Sequence, residues 1–552
     1  MLSRTPSPAA DRYNGAVPQT TVPSTLFFAL LAVAAATAQS PPHGHVDAIS
    51  VLDAVSNQMG VDKLNCISMS GVGYSGMVGQ NITENTDWIK DQPLEDYTRV
   101  IDYRKRSSLE SFSREPGRNP QSWKYGTGWR GGTPLQSRQK QTFAVNGEHA
   151  WHIDGDSSAP VPAPLQAELW QLDIWLNPHG FVKAARLPGA NPVAVWRWEM
   201  AESGRDGATT AGIEKSIVIS ATIMGKYRVN ATVNRDNRIQ RIQTWVPHPV
   251  LGDMNYEHEY TEWKTVDGVE FPAGWHHHDG WDDERKFPVI SGGHNGFGGS
   301  FPEIRVNQCG DPLSVPQSVK QATHDDARIE SSELAKGVWL IGGGSHNSVA
   351  VEFKNFIAVV EAPLNEKRSL AVIEEIVRRI PHKPIRFIVN THAHYDHLGG
   401  LRTYLHIGAT VITHQRNRLF YETELLNYTP WTLQPDMLAL YPPTEISEGY
   451  TMEDVDEKYV VSDRDRSLEI YYVQGLSTHA EGMLMAYLPE EKLLIEADLF
   501  NPQESGADPA VSDPLHQALK NNVDQLDLAV QRIVPIHGNP VNWSNFEAAL
   551  RQ

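Results

Sequence analysis

The segment Thr391-His392-Ala393-His394-Tyr395-Asp396-His397-Leu398-Gly399-Gly400 places three histidines and a carboxylate within six positions. Imidazole and carboxylate are the ligands that suit Zn²⁺ and its neighbours. The preceding run Pro384-Ile385-Arg386-Phe387-Ile388-Val389-Asn390 is apolar and β-branched and reads as a short buried strand. The cluster therefore sits on a loop at the C-terminal edge of a strand, where side chains converge on an open crevice. A two-residue step puts His392 and His394 on one side of an extended loop, and Asp396 and His397 then face the other way, toward a second ion. A solvated polar loop that happens to hold three histidines is the competing reading, and the strand–loop context argues against it.

Three later positions share that context. His479 lies in Gly475-Leu476-Ser477-Thr478-His479-Ala480, directly after a strand pattern. Asp498 closes Leu493-Leu494-Ile495-Glu496-Ala497-Asp498, and His537 closes Ile533-Val534-Pro535-Ile536-His537. Between these loops the pattern alternates strands and helices. Strands are expected at 338–341, 349–353, 356–360, 410–413, 458–462, 467–473, 483–488 and 492–496. Helices are expected at Lys367–Ile380, which is amphipathic, at Leu401–His406 and Gln415–Leu426, and from the Asp513-Pro514 start to about Arg532. Sheet edges carrying loops, with helices outside, imply a layered sandwich.

The first half reads differently. After a short helix at about 45–58, strand alternation dominates, as in Lys226–Val233 and Arg238–Trp245 around the turn Asn234-Arg235-Asp236-Asn237. A second hairpin runs from Tyr256 through Val266-Asp267-Gly268 to Trp275. Stretches 113–138 and 154–165 are rich in Gly, Pro, Ser and Arg and read as loops. The polar stretch Pro312–Asp326 reads as a linker. With 552 residues the chain exceeds one ordinary core. The fold class expected is α+β, with a β-rich antiparallel-sheet domain at 39–320 ahead of a layered domain at 326–552.

A formal charge of −19 argues against a nucleic-acid partner, because phosphate contacts need a basic surface. The apolar run Leu26–Ala36 is too short to span a bilayer but fits a signal-peptide core. Ala36-Thr37-Ala38 supplies the cleavage pattern, so residues 1–38 read as a signal peptide with a long n-region. The expectation is an exported protein, periplasmic or secreted, with no stable membrane span in the mature chain. In an oxidising compartment Cys66 and Cys309 can pair across a long loop, and two free buried thiols are the alternative.

Taken together, T-H-A-H-Y-D-H-L-G-G, a lone later His, a strand-ending Asp and a late His-Gly resemble the metallo-β-lactamase superfamily. The resemblance covers about residues 330–552 and implies an αββα sandwich with a dinuclear site. It implies one ion on His392, His394 and His479, another on Asp396, His397 and His537, and Asp498 bridging both. A carboxylate at the bridging position is more similar to hydrolases of the glyoxalase II and lactonase type than to true β-lactamases. The segment Ala358-Val359-Val360-Glu361-Ala362-Pro363 departs from the family's usual Asp-Thr-Gly ending there.

Two divalent cations about 3.5–4 Å apart share a water and lower its pKa toward neutrality. Zn²⁺ is the first expectation, and Fe²⁺ or Mn²⁺ accept the same nitrogen and oxygen ligands. The resulting nucleophile cleaves the ester, lactone or thioester of a small molecule, with Asp396 orienting it or carrying its proton. A phosphodiesterase or nuclease, a β-lactamase, and a non-catalytic amphiphile-binding protein with a structural metal site are the alternatives. The β-rich half faintly resembles the sheet-plus-helix lipoprotein carriers. His346, in Gly342-Gly343-Gly344-Ser345-His346-Asn347-Ser348, is a candidate substrate contact, with a plain turn histidine as the alternative. His276-His277-His278 alternates across a strand, so its rings cannot all face one ion, and a solvated strand face is expected. The aromatic loop Asn427–Tyr441 reads either as a lid or as ordinary loop packing.

Overall fold

The alternating segments of the first half join edge to edge into one antiparallel sheet of fourteen strands. The computed structural model describes residues 45–83, 89–114, 138–155, 159–200, 213–280, 296–322, 327–426, 431–442, 451–476, 479–502 and 514–550. The described residues all fall in one compact unit. The expected signal peptide at 1–38 lies outside the described residues, as do most of the first Gly/Pro-rich loop and the Asp513 cap. No helix among the described residues is long and apolar enough to cross a membrane.

Both expected hairpins are present, Tyr227–Val233 with Ile239–His248 and Gly252–Val266 with Val269–Asp279. The strand Phe297–Val306 then pairs back to Cys66–Met77, some 230 positions earlier, which joins the two ends of the region. A disulfide between Cys66 and Cys309 ties this junction, so the cysteines are paired rather than free. The helix Ala48–Met59 starts where the Asp47 carboxylate accepts the Ser50 N–H and ends at Gly60, whose φ of 67° allows the left-handed turn. Its Leu52, Val55 and Met59 are fully buried in the core of this sheet.

Within the region lies a cavity of about 380 Å³. Leu94, Phe112, Phe143, Trp170 and Met254 give it apolar walls, and Arg99, Glu110, Asp173 and Asp279 give it charge. The histidine run belongs here, and its expected solvated face is corrected. His276 and His278 share one face, their rings 4.9 Å apart and paired with Glu259 and Glu257. His277 points the other way and lines the cavity. On this central strand, which has neighbours on each side, His278 is buried and His276 and His277 are half-buried, so the run is a paired, part-buried segment.

From Glu330 the chain builds two sheets. The first orders Glu330–Ala335, Val338–Gly342, Ser348–Glu352, Ile357–Val360, Ile385–Val389, Thr410–His414 and Met452–Val455, and its last three pairings are parallel. The second orders Lys458–Ser462, Ser467–Tyr472, Leu484–Leu488, Leu493–Glu496, Arg532–Pro535 and Val541–Asn542. Strand alternation explains the layering. Val349, Val351, Ala358 and Val360 join a core with Leu468, Ile470, Leu484 and Ile495 of the second sheet. Their neighbours Ala350, Ile357 and Val359 pack instead with Val372 and Ile376 of the helix Glu366–Arg379. Leu519 and Phe546 bring the helices Pro514–Gln525 and Trp543–Ala549 onto the second sheet. The architecture is helix, sheet, sheet, helix.

Two helices differ from expectation. The last long helix stops at Gln525 rather than Arg532, because Asp527 adopts a φ of 51° and turns the chain out. The segment 415–425 is a broken run, with a 3₁₀ turn, a single α turn and a π turn. Asn417 anchors its start by donating to Thr413 Oγ1 and the Gly482 carbonyl, which holds that turn to the strand end rather than to a regular helix axis.

Candidate metal centre

Every candidate side chain leaves the C-terminal end of a strand or the loop beyond it. His392 and His394 follow Ile385–Val389, and Asp396 and His397 ride on the short helix Tyr395–Leu398. Asp498 follows Leu493–Glu496 with a φ of 62°, a backbone region that a non-glycine residue enters only when its surroundings demand it. His537 follows Arg532–Pro535, and His346 lies between the strands Val338–Gly342 and Ser348–Glu352. The fold brings all of them together. Ligand atoms of His392, His394, His479 and Asp498 lie within 4.8 Å of one another, and so do those of His346, Asp396, His397 and His537. Asp498 touches both groups. Its Oδ2 is 3.3 Å from His392 Nε2, 3.0 Å from His479 Nε2 and 3.1 Å from His397 Nε2, while its Oδ1 is 3.0 Å from His537 Nε2.

The hydrogen-bond network fixes which ring nitrogens carry protons. Thr391 Oγ1 donates to Glu361 Oε2, so His392 Nδ1 donates to Thr391 and its Nε2 lone pair faces the centre. His397 Nδ1 donates to Glu361 Oε2, which likewise turns its Nε2 lone pair inward. His394 Nε2 donates to the Asn81 carbonyl, leaving a buried Nδ1 without a partner. Lone pairs of imidazole and carboxylate thus converge at about 3 Å, and His397 Nε2 stands 3.2 Å from His537 Nε2. Such an arrangement needs positive charge at its middle, and the nitrogen–oxygen donor set fits divalent cations. Of these rings, His397 carries the same demand in its titration. Burial opposes charge on His397, yet the Asp498 and Asp396 carboxylates push it well above the ordinary histidine range. Burial, with the neighbouring His397, lowers His392 to about 4.

Residues 341–537 match the sequence family described as the metallo-beta-lactamase superfamily. That match and the helix–sheet–sheet–helix layering give this part of the chain the metallo-β-lactamase fold. Solved structures similar to the chain include a metallo-β-lactamase from Hirschia baltica, 19% identical over 41% of this chain and 97% of that one, with a TM-score of 0.30. Another is a metallo-β-lactamase from Pontibacter korlensis, 18% identical over 41% of this chain and 98% of that one, with a TM-score of 0.31. A third is FIM-1 from Pseudomonas aeruginosa in its mono-zinc form, 21% identical over 41% and 95%, with a TM-score of 0.29. No curated protein matches the chain. The family and the two donor groups support a metal-dependent hydrolase in general.

Residues that the sequence reading left out surround the candidate centre. Glu361, where the family's Asp-Thr-Gly ending is missing, is fully buried with a φ of 77°. It accepts from His397, Thr391 and, at 2.7 Å, Asn390 Nδ2. The departure from the family pattern was the available signal. Gln80 and Asn81 come from the β-rich half, and nothing local in their sequence marks them. His346 is buried, its Nε2 3.2 Å from Asp396 Oδ2, so it belongs to the second donor group. In the aromatic loop, residues 427–430 lie outside the described residues. Beyond them Trp431 is buried, with the Arg402 guanidinium 3.9 Å from its ring centroid, which is interior packing.

Proposed function

We propose that this protein is an exported dinuclear-metal hydrolase that cleaves a small carbonyl ester, lactone or thioester. One observation carries the reading: a single carboxylate, Asp498, lies 3.0–3.3 Å from four imidazole nitrogens drawn from both donor groups. His392, His394 and His479 would hold one cation, Asp396, His397 and His537 the other, and Asp498 both. Two divalent cations, Zn²⁺ first among them, supply Lewis acidity and a water nucleophile available at neutral pH.

The chain's own residues decide approach and proton handling. The side chains of His392, His397 and His479 are sealed, whereas Asp396 is 33% and His537 25% exposed. Substrate therefore meets the centre on the Asp396–His537 side. Burial works against charge on Asp396, but adjacent His397 and the His346 hydrogen bond outweigh it and hold the carboxyl well below its usual range. Ionised Asp396 accepts a hydrogen bond from the attacking water and relays its proton toward the leaving group. His346, kept neutral chiefly by burial, presents its ring beside His537 at a centroid distance of 4.0 Å to contact the substrate.

Asp498 favours esters, lactones and thioesters over β-lactams, following the resemblance on which its bridging role rests. The Cys66–Cys309 disulfide supports export, since such bonds persist in oxidising compartments. The net charge of −19 supports a small-molecule substrate over a nucleic acid. The test is a panel of esters, lactones, thioesters, β-lactams and phosphodiesters offered to wild type, metal-stripped protein and Asp498→Ala. Ester or lactone turnover that falls on stripping, returns with added cation and is lost in the variant is expected. Turnover indifferent to chelator and to Asp498→Ala would overturn the mechanism, and turnover of phosphodiesters alone would overturn the substrate class.

A further inference from the structure

Beyond the strand Cys66–Met77 of the β-rich sheet, the chain runs onto the metal loops. Four consecutive residues make contacts there. The Gly79 carbonyl accepts the Tyr395 N–H at 3.3 Å, and Gln80 Nε2 donates to Asp396 Oδ1 at 2.7 Å. The Asn81 carbonyl accepts His394 Nε2 at 2.9 Å, and the Ile82 carbonyl accepts the Glu481 N–H at 2.7 Å. Gly79 permits this approach, because its φ is +81° and a Cβ there would sit 2.5 Å from Tyr395 Cγ.

We infer that Gln80 is a positioning residue of the metal centre, supplied by the β-rich half, which fixes Asp396 by capping its Oδ1. The carboxylate has two oxygens with different surroundings. Oδ2 faces His346 at 3.2 Å and His397 at 3.5 Å, while Oδ1 faces Gln80. Asp396 is a third exposed, so without Gln80 its carboxylate can rotate and take solvent on either oxygen. An amide donor cannot ionise in the working pH range, and its bond to an ionised carboxylate is charge-assisted and short. Gln80 therefore keeps Oδ2 turned inward, and partners that orient ligands in this way commonly set metal affinity or activity by 10–100-fold. The inference rests on the dinuclear hydrolase reading for its catalytic consequence, though not for its metal-binding one.

The test uses the full chain with Gln80→Met, which keeps the length and removes the donor, and Gln80→Ser, which is too short to reach. Co²⁺ and Zn²⁺ affinities are measured by competition with a chromophoric chelator, alongside the visible spectrum of the Co²⁺ form and the unfolding midpoint of metal-free protein. Both variants are expected to bind the weaker ion about ten-fold less tightly and to alter the Co²⁺ spectrum, with the metal-free midpoint unchanged. On a turned-over substrate, kcat falls about ten-fold with KM held. Affinities and spectra within two-fold of wild type in both variants would overturn the inference, and so would a metal-free midpoint that drops in both. If wild type turned over nothing in the panel, the hydrolase reading would fail while the Co²⁺ affinities still decided the role of Gln80.

Discussion

Glu361 and Asp498 are two buried carboxylates that each follow a fully buried strand and each hold a left-handed backbone. Asp498 meets the centre directly, whereas Glu361 acts through the protonated edge of His397. Glu361→Gln keeps the shape but replaces a charged acceptor by a weaker one. It is expected to lower metal affinity 10–100-fold in chelator competition, and an affinity equal to wild type would contradict the role given to Glu361. The direct donors were legible because each lies at the end of a recognisable strand or just beyond it, so a local pattern placed them. Glu361 and Gln80 were not, because their partners lie 36 and 316 positions away and only the folded chain brings them together.

At the scale of elements, strand alternation and turn residues revealed the hairpins and the helix Glu366–Arg379, since those signals are local. The return of Phe297–Val306 to Cys66–Met77 was not legible, because register between distant strands is set by tertiary packing. The disulfide locks that return. Cys66→Ser with Cys309→Ser is expected to cost about 2–5 kcal/mol of stability, read from the denaturation midpoint. An unchanged midpoint would mean that the strand pairing alone holds the junction. The continuation of Cys66–Met77 offers a second check. Gly79→Ala meets both a positive φ and the Tyr395 ring, so a loss of about 1–3 kcal/mol is expected. A tolerated alanine there would show that the segment sits less tightly on the metal loops.

For the whole molecule, the charged cavity of the β-rich half makes stability depend on pH. Burial raises the Asp173 carboxyl and, against the pull of Arg99, leaves it at about 6 rather than 3.8. Between those values the folded chain keeps a proton that the unfolded chain has released, so this group's stabilising contribution is lost as pH rises from about 4 to about 6. Asp173→Asn keeps an acceptor for the Tyr256 hydroxyl and abolishes the effect. The variant is expected to gain stability relative to wild type at pH 8 but not at pH 3.5, by thermal unfolding, and an equal loss at both would contradict the sign.

Metal content per chain is the most direct test of the centre itself. Wild type and Asp498→Ala are loaded with Zn²⁺, freed of excess and weighed as intact folded protein by native mass spectrometry. Two ions on wild type and fewer on the variant are predicted, because Asp498 lies within 3.0–3.3 Å of nitrogens from both donor groups. No bound ion on wild type, or two on Asp498→Ala held as tightly as on wild type, would contradict the account.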